Sequence, residues 1–119
     1  MTRQYSRPHA PSPVEAGQTV AQLRHVLDLV ERISGRPPAN DPSDALLDEN
    51  ARVSAAYGTA PGIVQRRFDS LAAETAGWAA AGVQALLAAG NTAPPRAAAG
   101  KLAEELSRAL GRMIDILRL

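Results

Sequence analysis

Apolar residues recur every three or four positions along most of this chain, and this spacing restricts the possible folds more than any other feature. The first such stripe consists of Val20, Leu23, Leu27 and Val30. Residues at this spacing lie on one side of an α-helix, whereas a half-buried strand requires strict alternation. The stripe predicts a helix that begins at Val14 and stops at Gly35, because glycine favours a helix C-cap and the prolines that follow cannot continue the helix.

Two more helices are predicted before residue 90. Asp41 is suited to cap the first free amides and Pro42 fits the first turn of a short second helix that ends near Tyr57. Its predicted buried residues are Leu46, Leu47, Val53 and Tyr57. The third helix is predicted to run unbroken through Trp78 to about Ala89. It follows a single apolar seam that contains Val64, Phe68, Leu71, Thr75, Trp78, Gly82 and Leu86.

A short connection rich in glycine and proline, residues 90–95, precedes the last predicted helix. That helix carries an apolar side made of Leu102, Leu106, Ala109, Leu110, Met113, Ile116 and Leu117. Short connections favour antiparallel neighbours. The predicted fold class is therefore all-α, an antiparallel helical bundle of three long helices plus one short helix. Residues 1–13 are predicted to form a flexible N-terminal tail and residues 14–119 a single helical-bundle domain.

Composition narrows the classes of function. The chain of 119 residues contains no cysteine, which excludes disulfides, thiolate metal sites and cysteine nucleophiles. A net charge of +1 is far from the basic excess that is typical of a dedicated nucleic-acid domain. The N-terminal residues lack the apolar centre of a signal peptide, and no apolar run is long enough to span a membrane. These absences predict a cytoplasmic protein. Because arginine is far commoner than lysine, we also expect a bacterial origin.

Catalytic and metal-binding patterns do not emerge from the sequence. His25 is predicted to face solvent from the first helix, but Asp28 and Leu29 stand where histidine phosphotransfer domains usually carry Lys-Gly. His9 lies in the predicted tail, and the carboxylates near the second helix lack the spacing of a calcium loop. No general acid and base can be paired, and no phosphate-binding glycine loop occurs. We expect no enzyme, no cofactor, no metal and no small-molecule substrate.

One stretch raises the possibility of DNA recognition. The residues AAYGTAPGIVQRRFDSLAAE, 55–74, contain an aromatic-Gly turn, a valine suited to burial and a closing Leu-x-x-Glu. The stretch resembles the helix-turn-helix of GntR-type winged-helix repressors. This resemblance implies a helix-turn-helix at about 51–71, with Gln65, Arg66 and Asp69 directed outward. The residues at the groove or phosphates would be Arg52, Gln65, Arg66 and Arg67. In such repressors a two-stranded wing soon follows, whereas here the helical seam continues.

The leading hypothesis is a non-enzymatic interaction protein. The first and last helices carry wide apolar stripes, and a small bundle does not always cover such wide stripes itself. Helical proteins dimerise or bind a partner helix through apolar edges that remain uncovered. The predicted partner surface consists of Leu29, Ile33, Ile114 and Leu117, with Arg112 and Arg118 at its rim. Small residues at Ala72, Ala76, Ala79 and Gly82 would allow a neighbouring helix to approach closely. The chain looks like small helical bacterial adaptor proteins, and an adaptor, chaperone or regulatory subunit acting as a homodimer is expected. The alternative is that these stripes only complete the core of a monomer.

Overall fold

The computed structural model describes residues 12–35, 43–89 and 96–118 of the chain, without the side chains of residues 43–46 and 89. The helices are α1 (Pro13–Ser34), α2 (Ser43–Thr59), α3 (Gly62–Ala89) and α4 (Arg96–Leu117). No strand occurs among the described residues, and the predicted all-helical fold is confirmed. The helix predicted to be short has 17 residues, against 22, 28 and 22 for α1, α3 and α4. The predicted cap at Asp41 and Pro42 and the connection at 90–95 lie outside the described residues.

Helix α1 begins at Pro13, one residue earlier than the apolar stripe indicates. The Ser12 hydroxyl accepts a hydrogen bond from the Glu15 amide at 3.2 Å, and the Ser12 amide donates to the Glu15 carboxylate at 2.7 Å. This capping box, with Pro13 at the first helical position, fixes the start of the helix. The Ser-x-x-Glu signal was available in the sequence, so the assignment of residues 12 and 13 to a flexible tail is wrong. Most of the predicted tail lies outside the described residues.

Helix α1 ends as the sequence predicts. Gly35 takes a left-handed backbone conformation with φ of 85°, and its amide donates to the Arg32 carbonyl at 3.1 Å. A residue with a Cβ atom adopts this conformation only at a cost, which explains why glycine stands at the stop.

Helix α2 buries Val53 and Tyr57 as predicted, but not Leu47, which is 67% exposed. The prediction that Leu47 is buried is wrong because it lies six positions before Val53, about 120° away from it around the helix axis. The helix is buried on one side only. The side chain of Leu46 lies outside the described residues.

Helix α3 runs unbroken from Gly62 to Ala89, which confirms the predicted long third helix. Along its seam Phe68, Thr75 and Leu86 are buried, while Leu71 and Trp78 are half-buried and pack against the core. The seam therefore lies at the boundary of the core, with one edge open to solvent.

The four helices pack together around one apolar core, in which α1 and α4 are central. Helix α1 contacts both α2 and α4, whereas α3 packs mainly on α4. Helix α4 contributes the largest share of the core, through Ala99, Leu102, Ala103, Leu106, Leu110, Met113 and Leu117. Helix α3, the longest of the four, therefore lies at one edge of the packed helices.

Small residues bring the helices close together at two crossings. A Cβ atom added to Gly17 of α1 would collide with Asn50 and would lie 2.5 Å from the Ser54 hydroxyl of α2. On α3, a Cβ atom added to Gly82 would lie 2.8 Å from a methyl carbon of Leu102. The helix that approaches Gly82 closely is therefore α4 of the same chain, which agrees with the alternative that such residues complete the core of a monomer. Of the other small residues predicted for this face of α3, Ala72 and Ala79 are buried, whereas Ala76 is exposed.

Candidate interaction surface

The apolar residues predicted to form the partner surface have different surroundings in the fold. Leu29 is 47% exposed, whereas Leu117 is 7% exposed and belongs to the core. Ile33 and Ile114 are half-buried and pack against that core. The expectation that Leu117 lies on the surface is wrong, because the wide apolar stripe of α4 is covered by other helices of the same chain.

The predicted surface is also divided between two places. Gly35, at the end of α1, lies beside the Arg96 guanidinium: a Cβ atom on Gly35 would be 3.5 Å from its Cζ. Ile114 follows Arg96 by eighteen positions, which is roughly 27 Å along a helix. Ile33 therefore lies near the N-terminal end of α4, and Ile114 lies near its C-terminal end. The two predicted rim residues, Arg112 and Arg118, are exposed near the C-terminal end of α4.

A groove near the C-terminal end of α4 is lined by Arg112, one of the predicted residues, and by four other residues. It has a volume of about 400 Å³ and is lined by Leu71 and Glu74 of α3 and by Arg112, Asp115 and Ile116 of α4. We call it the α3–α4 groove. Its apolar floor consists of Leu71 and Ile116, which are half-buried and pack against the core. A partner that covers this floor would remove additional apolar surface from water, which favours association.

The rim of the α3–α4 groove is charged with both signs. Glu74, Arg112 and Asp115 are exposed, and none of them makes an ion pair within the described part of the chain. Other surface charges do pair within the chain: Arg32 with Asp28, and Arg52 with Asp48 at 2.7 Å. The groove therefore offers both an apolar contact and three charges that remain available to a partner.

The uncharged face of α3 continues from this groove. From Thr75 to Ala88 the helix contains no charged residue. The exposed positions on the side of α3 that carries Glu74 are Gly77, Ala81, Gln84, Ala85 and Ala88. Ala76, Ala80 and Leu87 are also exposed, but they lie about 140–180° from Leu71 around the helix axis. A solvent-facing helix surface normally carries charged side chains, and charged residues are depleted at the centres of protein interfaces. Trp78 is half-buried on the same side as Leu71, two helical turns farther along.

Of the four predicted DNA-reading residues, Gln65, Arg66 and Arg67 lie near the start of α3, whereas Arg52 lies within α2 and pairs with Asp48. Gln65 is also used within the fold. The Gln65 amide group donates to the Tyr57 carbonyl at 2.7 Å, which satisfies a carbonyl at the end of α2. The expectation that Gln65 and Asp69 point outward is wrong, because both are half-buried and hydrogen-bonded to Tyr57. Arg66 and Arg67 are exposed.

Tyr57 is the centre of this junction. Its hydroxyl donates to the two Asp69 carboxylate oxygens at 3.0 and 3.1 Å, and its ring packs edge-on against Phe68 with the centroids 5.5 Å apart. Burial, followed by the hydrogen bond to Asp69 and the negative charges of Asp69 and Glu15, raises the pKa of Tyr57 to about 12. These contacts join the end of α2 to the start of α3 across Ala60 and Pro61. Because its pKa is raised, the Tyr57 hydroxyl stays protonated at neutral pH and has a structural role.

Other kinds of site have little support in the described residues. His25 is exposed on α1 as predicted. In the described ranges, no group of three or more histidine, cysteine, aspartate or glutamate side chains is placed to hold a metal ion. Within the same ranges, none of the helices has the length and apolar character needed to cross a membrane.

Comparisons of the chain with protein-family models, with curated proteins and with solved structures give no significant match.

Proposed function

We propose that this chain is a non-enzymatic helical interaction protein, an adaptor, chaperone or regulatory subunit, that binds a partner protein at the α3–α4 groove. The observation that carries the proposal is the groove itself, in which Leu71 and Ile116 form an apolar floor beneath three exposed charges without ion pairs in the described part of the chain. The uncharged positions of α3 on the side of Glu74 extend the same surface. Of the residues predicted from sequence, Arg112 contributes directly to this surface.

The helix arrangement that we propose for this function is an antiparallel bundle. Along α1 and α2, Gly17 lies beside Ser54 and Arg24 pairs with Glu49, so the later residue of α1 meets the earlier residue of α2. The same reversed order relates α3 to α4, where Gly82 contacts Leu102 and Leu71 shares the groove with Ile116. In this arrangement the other described helices leave one long side of α3 uncovered.

Site-specific crosslinking tests the proposed function, because the chain contains no cysteine of its own. Asp115→Cys would carry a thiol-linked photocrosslinker at the rim of the groove, and Arg52→Cys would carry the same group on the exposed surface of α2. We expect the Asp115 probe to capture a defined protein in an extract of the native host, and the Arg52 probe to capture none. Equal capture by both probes, or no capture by the Asp115 probe, would refute the proposed site.

A Leu29→Cys probe separates this proposal from the surface predicted from sequence. Leu29 is the most exposed of the four predicted apolar residues. Capture by the Leu29 probe without capture by the Asp115 probe would move the partner site to α1.

DNA binding is a second candidate function, and one observation favours it. Arg66 and Arg67 are exposed near the start of α3 and make no ion pair within the described residues. Binding through arginine–phosphate contacts would weaken steeply as salt concentration rises, and Arg66→Ala/Arg67→Ala would abolish it. Fluorescence anisotropy with a labelled generic duplex measures both effects. No binding at low salt would exclude this candidate.

A further inference from the structure

We infer that the occupant of the α3–α4 groove is a second copy of this chain, an inference that rests on the function proposed above. The rim of the groove provides the reason. It carries one cation, Arg112, and two anions, Glu74 and Asp115, all exposed and none engaged in an ion pair within the described part of the chain. The surface therefore contains both members of the pairs that a charged contact needs.

A two-fold axis through the groove would use these charges on both sides at once. In a symmetric dimer, when residue i contacts residue j of the other copy, residue j also contacts residue i. Arg112 of each copy would face Glu74 or Asp115 of the other, giving two equivalent ion pairs. A partner surface of a single sign would instead oppose a like charge at Arg112 or at the two carboxylates, which is unfavourable.

The lengths of the two helices set an upper limit on the area that a contact between copies could bury. Helix α3 has 28 residues and α4 has 22, which correspond to lengths of roughly 42 and 33 Å. A strip about 10 Å wide along the whole length of both helices would cover at most roughly 750 Å² per copy, close to the area that each partner buries in a standard interface. The uncharged positions of α3 on the side of Glu74 would lie inside this area, together with the exposed Lys101, Glu105 and Arg108 of α4. Arg112, Glu74 and Asp115 would lie toward one end of it.

Charge exchange between two variants tests the inference. Arg112→Glu makes the rim entirely negative, and the double variant Glu74→Lys/Asp115→Lys makes it entirely positive. Because all three side chains are exposed, neither variant should disturb the fold, which circular dichroism checks. Arg52→Glu, on α2 and away from the groove, is the control with the same change of net charge as Arg112→Glu.

We expect sedimentation equilibrium to show a dimer for the unaltered chain and for Arg52→Glu. Each groove variant alone should have a dimer dissociation constant raised by about tenfold or more, since both symmetric pairs become repulsive together. Mixing the two groove variants should restore a one-to-one heterodimer. A monomeric unaltered chain, or a dimer that is insensitive to both groove variants, would overturn the inference.

The same measurements distinguish failure of this inference from failure of the proposed function. If the unaltered chain is monomeric while the Asp115→Cys probe still captures another protein, the second copy is the wrong occupant and the proposed function stands. If the chain is monomeric and the probe captures nothing, both are wrong.

Discussion

Replacing Gly17 with alanine should weaken the fold, although alanine is the better helix former. In an exposed helix interior, the replacement of glycine by alanine stabilises by about 1 kcal/mol. At Gly17 the new Cβ atom would collide with the Asn50 side chain and would lie 2.7 Å from the Asn50 carbonyl oxygen. Because a backbone atom cannot rotate away, α1 and α2 would have to separate. Overpacking of this kind costs about 1–3 kcal/mol, and separation of two helices lies at the upper end of that range. We expect a net loss of about 1–2 kcal/mol.

Two other glycines provide matched controls for this prediction. Gly77 of α3 and Gly111 of α4 are exposed, and an added Cβ atom at either one meets nothing within 4 Å. Their alanine variants should therefore gain up to about 1 kcal/mol from helix propensity alone. For a chain of this length 1 kcal/mol corresponds to roughly 4 °C in Tm. Thermal and urea unfolding followed by circular dichroism measure the three variants. A Gly17→Ala protein as stable as Gly77→Ala would refute the close crossing of α1 and α2.

Three further predictions concern polar groups. Thr75 is buried, and its hydroxyl has no hydrogen-bond partner within the described residues, so Thr75→Val should raise the free energy of unfolding by about 1 kcal/mol, whereas Thr75→Ser should lower it. The raised pKa of Tyr57, about 12 against 10.0, means that the folded state holds the hydroxyl proton more tightly than the unfolded state does. The folding stability that results is fully present below pH 10 and is lost as pH rises toward 12. Unfolding measured from pH 9 to 11.5 should show this decline in the unaltered chain and not in Tyr57→Phe. Ser12→Ala should cost about 1 kcal/mol by urea unfolding, and Ser12→Asp should restore most of it; equal stability of all three proteins would contradict the capping role.

Helix positions were readable from the sequence because they depend on residues close together in the chain. The apolar stripe of α1, the glycine at its end and the long seam of α3 are local patterns, and each appears where it was predicted. The capping box of Ser12 and Glu15 is equally local, and the pattern of spacing alone was not enough to find it. Local hydrogen-bond geometry and helical periodicity explain this part of the fold.

The identity of the exposed residues depended on which helices meet. Leu117 and Leu29 both extend an apolar stripe, yet α4 lies between neighbours that cover Leu117 while Leu29 remains open. Gln65 and Asp69 have the sequence character of surface residues, and the contact of α2 with α3 directs both toward Tyr57. A helical period gives the angle of a side chain around its own axis but not the position of the neighbouring helix.

The sequence by itself determined that this chain forms helices and approximately where they begin and end, because those properties arise from neighbouring residues. The tertiary structure decided which apolar stripes are covered, and it placed Leu71 and Glu74 beside Arg112, Asp115 and Ile116. These residues come from helices that are separate in sequence, so only the packing of α3 against α4 creates the groove. The physical reason is that burial depends on the surface of the neighbouring helix as well as on the residue itself.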